Sequence, residues 1–220
     1  MSQKKKWTAD FLFAVQIVGA FVFAGSQFFR LLETTKGQLL SMFLVMEAFL
    51  VLHIMLAVAA HHAKPSRITR QTLWVYVMWV VLLGSNIVAV FINGDYQWSE
   101  NDTRTTLLAL TGAALVLGFA KVRGMGFQDP MPKSFIAMLF KALPQFVMAF
   151  EVARMGGTGV PAVTIIVGNI TVGLRIAQIL FTILEAGWER NRFWLLASET
   201  MNEVSWAAVS VVWAFWFFAL

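Results

Sequence analysis

The polar residues of this 220-residue chain are few, and they fall at spacings that suit holding a polar solute better than making or breaking bonds. Thr164, Gly168, Thr171, Arg175, Gln178, Thr182 and Glu185 recur at steps of three or four, drawing one stripe along a helix that is otherwise apolar. An ionisable group in such a helix must face a partner or a water-filled cavity. Arg175, near the middle, could hold an anionic solute or act as a counter-ion; a structural ion pair between helices would use it equally well. A second stripe, Glu199, Asn202, Glu203, Trp206, Ser210 and Trp213, offers Glu203 as the acid to neutralise Arg175. A third runs through Thr72, Tyr76, Trp79, Asn86 and Asn93. The amides of Asn86 and Asn202 both donate and accept hydrogen bonds, and Trp79 or Trp206 could stack on a solute. The same residue types also glue helices together and anchor interfaces. Glu47, His53 and, closer to an interface, Glu151 could carry a coupling proton, since carboxylates and imidazoles in a membrane interior can change protonation state near neutral pH.

Other chemistries lack their residues. No Gly-x-Ser-x-Gly, His-Glu-x-x-His, P-loop or zinc spacing occurs. Cysteine is absent, which removes thiolate nucleophiles, thiolate metal sites and disulfides. Glu47 and His53 do not share one narrow helix face, so no metal site is expected, and His61-His62 adjoin a basic loop that should lie in solvent. A retinal-type protein would need a Schiff-base lysine, but the last apolar segment has none and Lys141 is alone within a span. No catalytic residue and no cofactor are expected, and the chain does not read as an enzyme.

The elements that must position these residues follow from composition. Apolar residues make up 59% and charged residues 13%, against about 25% charge in a soluble domain, and mean hydropathy is +0.71. Runs of about 20 apolar residues match the roughly 30 Å hydrocarbon core of a bilayer. They predict an all-α integral membrane protein with seven transmembrane helices near 10–30, 40–60, 72–92, 105–120, 134–154, 161–184 and 199–219. Lys64-Pro65-Ser66, Asn93-Gly94-Asp95, Asp129-Pro130-Met131-Pro132 and Gly156-Gly157-Thr158-Gly159 punctuate them. The stretch after Lys4-Lys5-Lys6 is longer than a signal-peptide core and reads as a retained first helix. One set of loops holds Lys4, Lys5, Lys6, Lys64, Arg67, Arg70, Lys121, Arg123, Lys133, Arg190 and Arg192; the other holds Arg30, Lys36, Arg104 and Arg154. The positive-inside rule places the N-terminus in the cytoplasm and the C-terminus outside, in what reads as a plasma membrane protein. The net charge of +5 is explained by these loops, so no nucleic-acid partner is expected.

An internal repeat is visible. Ser26-Gln27-Phe28-Phe29-Arg30 ends the first helix before Thr35-Lys36-Gly37 and a new helix; Leu143-Pro144-Gln145-Phe146-Val147, in the fifth, precedes the Gly156–Gly159 turn and a sixth. Helices one to three therefore correspond to five to seven with direction preserved. This gives a parallel 3+1+3 layout: a repeat over 1–92, a connector with the fourth helix over 93–132, and a second repeat over 133–220.

At these residues the chain resembles the PQ-loop superfamily, which includes SWEET and SemiSWEET sugar transporters, cystinosin-like exporters, KDEL receptors and mannose-phosphate-dolichol utilisation proteins. Leu143-Pro144-Gln145 carries the name-giving dipeptide, Ser26-Gln27 stands where the first repeat usually has Pro-Gln, and Gly168-Asn169 with Leu174-Arg175-Ile176 is similar to the family's second-helix pattern. The resemblance implies two three-helix bundles that rock about a central site. Gln27, Pro144 and Gln145 would serve hinges or gates, proline because it lacks an N–H and lets a helix kink. Asn86, Arg175, Asn202, Glu203, Trp206 and Trp79 would contact the solute, paired asparagines being similar to those of SWEET transporters. The implied activity is alternating-access transport of a small polar solute such as a sugar, amino acid or organic anion. A non-transporting sorting receptor or a helper for lipid-linked sugars is the alternative. The bilayer and the solute are the expected partners, and homo-oligomerisation is compatible with two complete repeats without being required.

Overall fold

A computed structural model describes residues 3–63 and 65–219, with the side chains of 3–10, 12, 60, 68 and 219 outside that description. Lys4, Lys5, Lys6 and Lys64, counted for topology above, lie outside the described side chains. Everything regular is helical: α1 (Gln3–Glu33), α2 (Leu40–Ala63), α3 (Arg67–Asn93), α4 (Glu100–Val122), α5 (Pro130–Ala137), a π-helical turn (Met138–Ala142), α6 (Leu143–Met155), α7 (Ala162–Ala186) and α8 (Arg190–Ala219). No strand occurs among the described residues.

Local chemistry sets the ends. Ser66 caps α3 in a reciprocal box with Thr69, and Ser99 does the same for α4 with Asp102, each satisfying orphan N–H groups of a first turn. Gly94 ends α3 in the left-handed region at φ 76°, where a side chain would be strained. Proline starts α5 at a position whose missing N–H is harmless.

Among the described residues, six segments are long and apolar enough to cross a membrane: Phe13–Glu33, Leu40–Ala63, Thr69–Asn93, Glu100–Val122, Pro130–Met155 and Ala162–Ala186. The sequence predicts seven. At 30 residues α8 is long enough, but Arg190, Arg192, Glu199, Asn202 and Glu203 dilute its apolar run. It also starts at Arg190, well before the expected 199, and α1 begins at Gln3 rather than near residue 10. The fifth span is not one α-helix. Pro144 cannot donate and its ring crowds the carbonyl one turn back; ahead of it the chain widens into the π turn, where the Leu143 N–H reaches the Met138 carbonyl.

In the packing, α3 touches both α1 and α2, while α8 touches the α5–π–α6 span and α7. The two groups meet along α1 with α7 and along α2 with the π turn and α6; α4 packs on α2 and on α5–π–α6. Small residues allow the first seam. A Cβ on Gly19 would come within 2.7 Å of the Thr171 methyl. Along the same seam Ser26 Oγ lies 2.8 Å from Thr164 Oγ1, and Gln16 Nε2 donates to Gln178 Oε1 at 3.2 Å. Leu31, Leu39, Phe43, Met148, Val152 and Val209 form part of a continuous buried core.

Candidate functional site

The Gln27 side chain is buried and spans between the groups: its Nε2 donates to the Gly159 carbonyl at 3.0 Å. The same oxygen accepts from Gln38 Nε2 at 3.0 Å, and the Gly159 N–H donates to the Lys36 carbonyl at 3.0 Å. Arg30 Nε adds a bond to the Thr158 carbonyl at 2.5 Å. This seam joins the α1–α2 and α6–α7 loops almost backbone to backbone. Gly37 has φ 75°, and a Cβ there would lie 2.4 Å from the Gly156 oxygen. Gly37→Ala should therefore destabilise the fold by about 2 kcal/mol through left-handed strain and overpacking. Its loops should also exchange amide hydrogens faster at residues 156–160, which hydrogen-exchange mass spectrometry would read.

Gln145, its counterpart in the expected repeat, does a different job. Buried on α6, it donates through Nε2 to Asn202 Oδ1 at 3.2 Å and accepts from Ser205 Oγ at 2.7 Å, tying α6 to α8 within one group. Asn202 is thus already partnered. Asn86 is not: it is 0% exposed, and neither its Oδ1 nor its Nδ2 has a hydrogen-bond partner among the described residues. The two asparagines sit in unlike surroundings.

Both tryptophans pack on Phe23 of α1, with ring centroids at 6.0 Å for Trp79 and 5.6 Å for Trp206. Trp206 is buried, donates Nε1–H to the Ile165 carbonyl at 3.3 Å, and fills the space over Gly168, where a Cβ would stand 2.1 Å from that nitrogen. Phe23 was not legible as a site residue, because an apolar residue in an apolar run carries no signal.

The expected pairing of Arg175 with Glu203 is not formed. Arg175 is exposed and donates to Gln178 Oε1 at 3.3 Å, one turn along its own helix. Glu203 keeps its Oε2 buried without a partner among the described residues. The stripe periodicity identified a common helix face correctly but not which part of it faces the neighbouring helices. Glu199 carries the ion pair instead, with Lys141 Nζ at 3.0 and 3.1 Å from its two oxygens. Lys141 sits in the π turn, so this turn is held by α8 on one side; on the other, Leu139 lies against Gly112 of α4, where a Cβ would come within 2.8 Å.

The three proton candidates diverge. Glu47 has a buried Oε2 with no partner among the described residues and faces Gly84, at which a Cβ would lie 3.7 Å from Oε1. His53 is buried, its Nδ1 2.9 Å from the Phe49 carbonyl and its ring 3.9 Å from Phe49 and 5.3 Å from Tyr76. Glu151 is engaged structurally by Arg154 at 2.8 Å and Asn101 at 2.6 Å. His61, expected in solvent, is half-buried with Nδ1 2.8 Å from Thr69 Oγ1.

A polar cluster that sequence reading missed lies beside the seam. Asp102 is 0% exposed. Its Oδ1 accepts from the Ser41 N–H at 2.8 Å, and its Oδ2 accepts from the Ser99 N–H and hydroxyl at 2.8 Å each and from the Tyr96 phenol. Tyr96 Oη in turn accepts from the Leu40 N–H at 2.8 Å. Burial first, then the bond to Asp102, pushes the Tyr96 phenol well above its usual value. One carboxylate thus serves the first turns of both α2 and α4.

Compared with known proteins, the chain matches no family model, no curated protein and no solved structure.

Proposed function

We propose that the protein is a PQ-loop-type membrane transporter with seven spans, α8 being the seventh, which moves a small polar solute by alternating access between an α1–α3 group and an α5–α8 group. The observation that carries this reading is the π turn at Met138–Ala142, immediately before Pro144-Gln145. A π turn interrupts the regular ladder and recurs at functional positions in helices, and transporters use interrupted helices where a bundle must open. Here the turn is gripped by Lys141–Glu199 and by the Leu139–Gly112 contact, so a change in its geometry is passed to α8 and α4 together. Support also comes from the packing, in which the third helix of each group touches the other two. In this reading the Gln27–Gly159 seam is the closed external gate, and the unpartnered amide of Asn86 is the group that waits for the solute or its water.

The test is uptake or counterflow in proteoliposomes across sugars, amino acids and organic anions. At least one class should enter faster than in protein-free vesicles. Asn86→Leu should abolish that uptake while leaving stability unchanged or raised by about 1 kcal/mol, since it removes buried groups that make no bond. A folded protein that moves none of the three classes rules the transporter reading out.

A further inference from the structure

At the end of the bundle opposite the seam, α4 and α5 leave a groove of about 230 Å³ lined by Leu115, Val116, Phe119, Met131, Pro132 and Phe135. Its lining is wholly apolar, and it opens outward: Leu115 is 69% and Phe119 46% exposed. In a membrane-embedded chain such a face meets lipid. Leu115, Phe119 and Arg123 follow one another at steps of four, so the groove's α4 wall ends in a cation. The Arg123 guanidinium lies back over the Phe119 ring, 5.4 Å from its centroid. Arg190 flanks the turn beyond, its Nη2 3.8 Å from Met125 Sδ.

Bases outnumber acids in the segments around this mouth. Lys121, Arg123 and Lys133 make no ion pair with any described residue, while Arg192 is paired with Glu189. Asp129, in the turn between α4 and α5, forms no ion pair with these bases, and one of its oxygens accepts from the Gly126 N–H at 2.5 Å. Unneutralised bases at a bilayer surface attract anionic headgroups, and a basic pocket between helices can hold one in place.

We infer that the α4–α5 groove is a binding site for one anionic phospholipid, its phosphate at Arg123 with Arg190 beyond it and one acyl chain along Leu115, Phe119 and Phe135. The occupant is a lipid of the surrounding leaflet because hydrocarbon groove and cationic rim are continuous. A soluble anion would use only the rim, and a neutral lipid only the groove. The site stands apart from the Asn86 region and does not rest on the transport reading.

Native mass spectrometry of the full chain, purified in detergent and exposed to equal amounts of dioleoyl phosphatidylglycerol and dioleoyl phosphatidylcholine, tests it. Phosphatidylglycerol should be retained in preference, and Arg123→Gln should lower that preference about fivefold, the effect of one base near an anionic surface. Leu115→Trp, which fills the groove and leaves the charge untouched, should lower retention of both lipids. Thermal unfolding of each variant shows that it is folded. Equal retention of the two lipids, an Arg123→Gln variant that keeps its preference, or a Leu115→Trp variant that binds as well as the parent would each overturn the site. So would a lipid-free dimer that buries this face.

Discussion

Replacing Asp102 by alanine should cost the fold about 4 kcal/mol, because the carboxylate accepts several charge-assisted bonds whose donors would be left buried without partners. Those donors are the Ser41 N–H, the Ser99 N–H and hydroxyl, and the Tyr96 phenol. The first belongs to the opening of α2 and the second to the cap of α4, so a single truncation loosens two helices at once. Asp102→Asn keeps the shape and one carbonyl acceptor, and should lose about half as much. Unfolding in detergent, followed by the signal of the tryptophans, measures both. An alanine variant within about 1 kcal/mol of the parent would mean that water replaces the carboxylate and that the cluster is not a structural lock.

The second large effect is expected at Glu199. Its side chain is 15% exposed and that of Lys141 21%, so the pair is shielded on both sides. Removing one partner of such a pair leaves the other charge uncompensated, which costs about 3 kcal/mol or more. Glu199→Gln should show that loss. The double variant Lys141→Met, Glu199→Met should recover most of it, because two apolar side chains of similar length suit the site nearly as well as the pair. A cycle of the two single variants and the double one isolates the coupling. Additive losses would show that Lys141 and Glu199 act independently, and the π turn would then not be held by α8 through this contact.

What was legible in the sequence was what hydropathy and helical period encode. The apolar runs located six membrane-length segments, and the dipeptide at Pro144-Gln145 marked the span that departs from an α-helix. Periodicity singled out Asn86, Asn202 and Trp206, and the repeat pattern Gln27 and Gln145, all of which are buried. It failed wherever the answer depended on which neighbour a face meets. Arg175 shares a stripe with Thr164, yet Thr164 is buried at the α1 seam while Arg175 is exposed. Lys141 looked like an isolated lysine because its acid lies far downstream on α8. Asp102 stands between the predicted third and fourth helices; nothing within its own segment indicates that Ser41 would lie beside it. Long-range partners leave no local period, and they decide the electrostatics of this chain.

The seam also constrains the order in which the molecule can be made. Gln27 finds its acceptor on Gly159, 132 residues later, and Ser41 finds Asp102 after 61. A ribosome delivering helices one at a time releases α1 and α2 into the bilayer with these groups unmet, and they must wait for α4 and then for the α6–α7 loop. Chains halted before residue 102 should therefore be the ones a quality-control protease finds, and chains that have passed 159 the ones it spares.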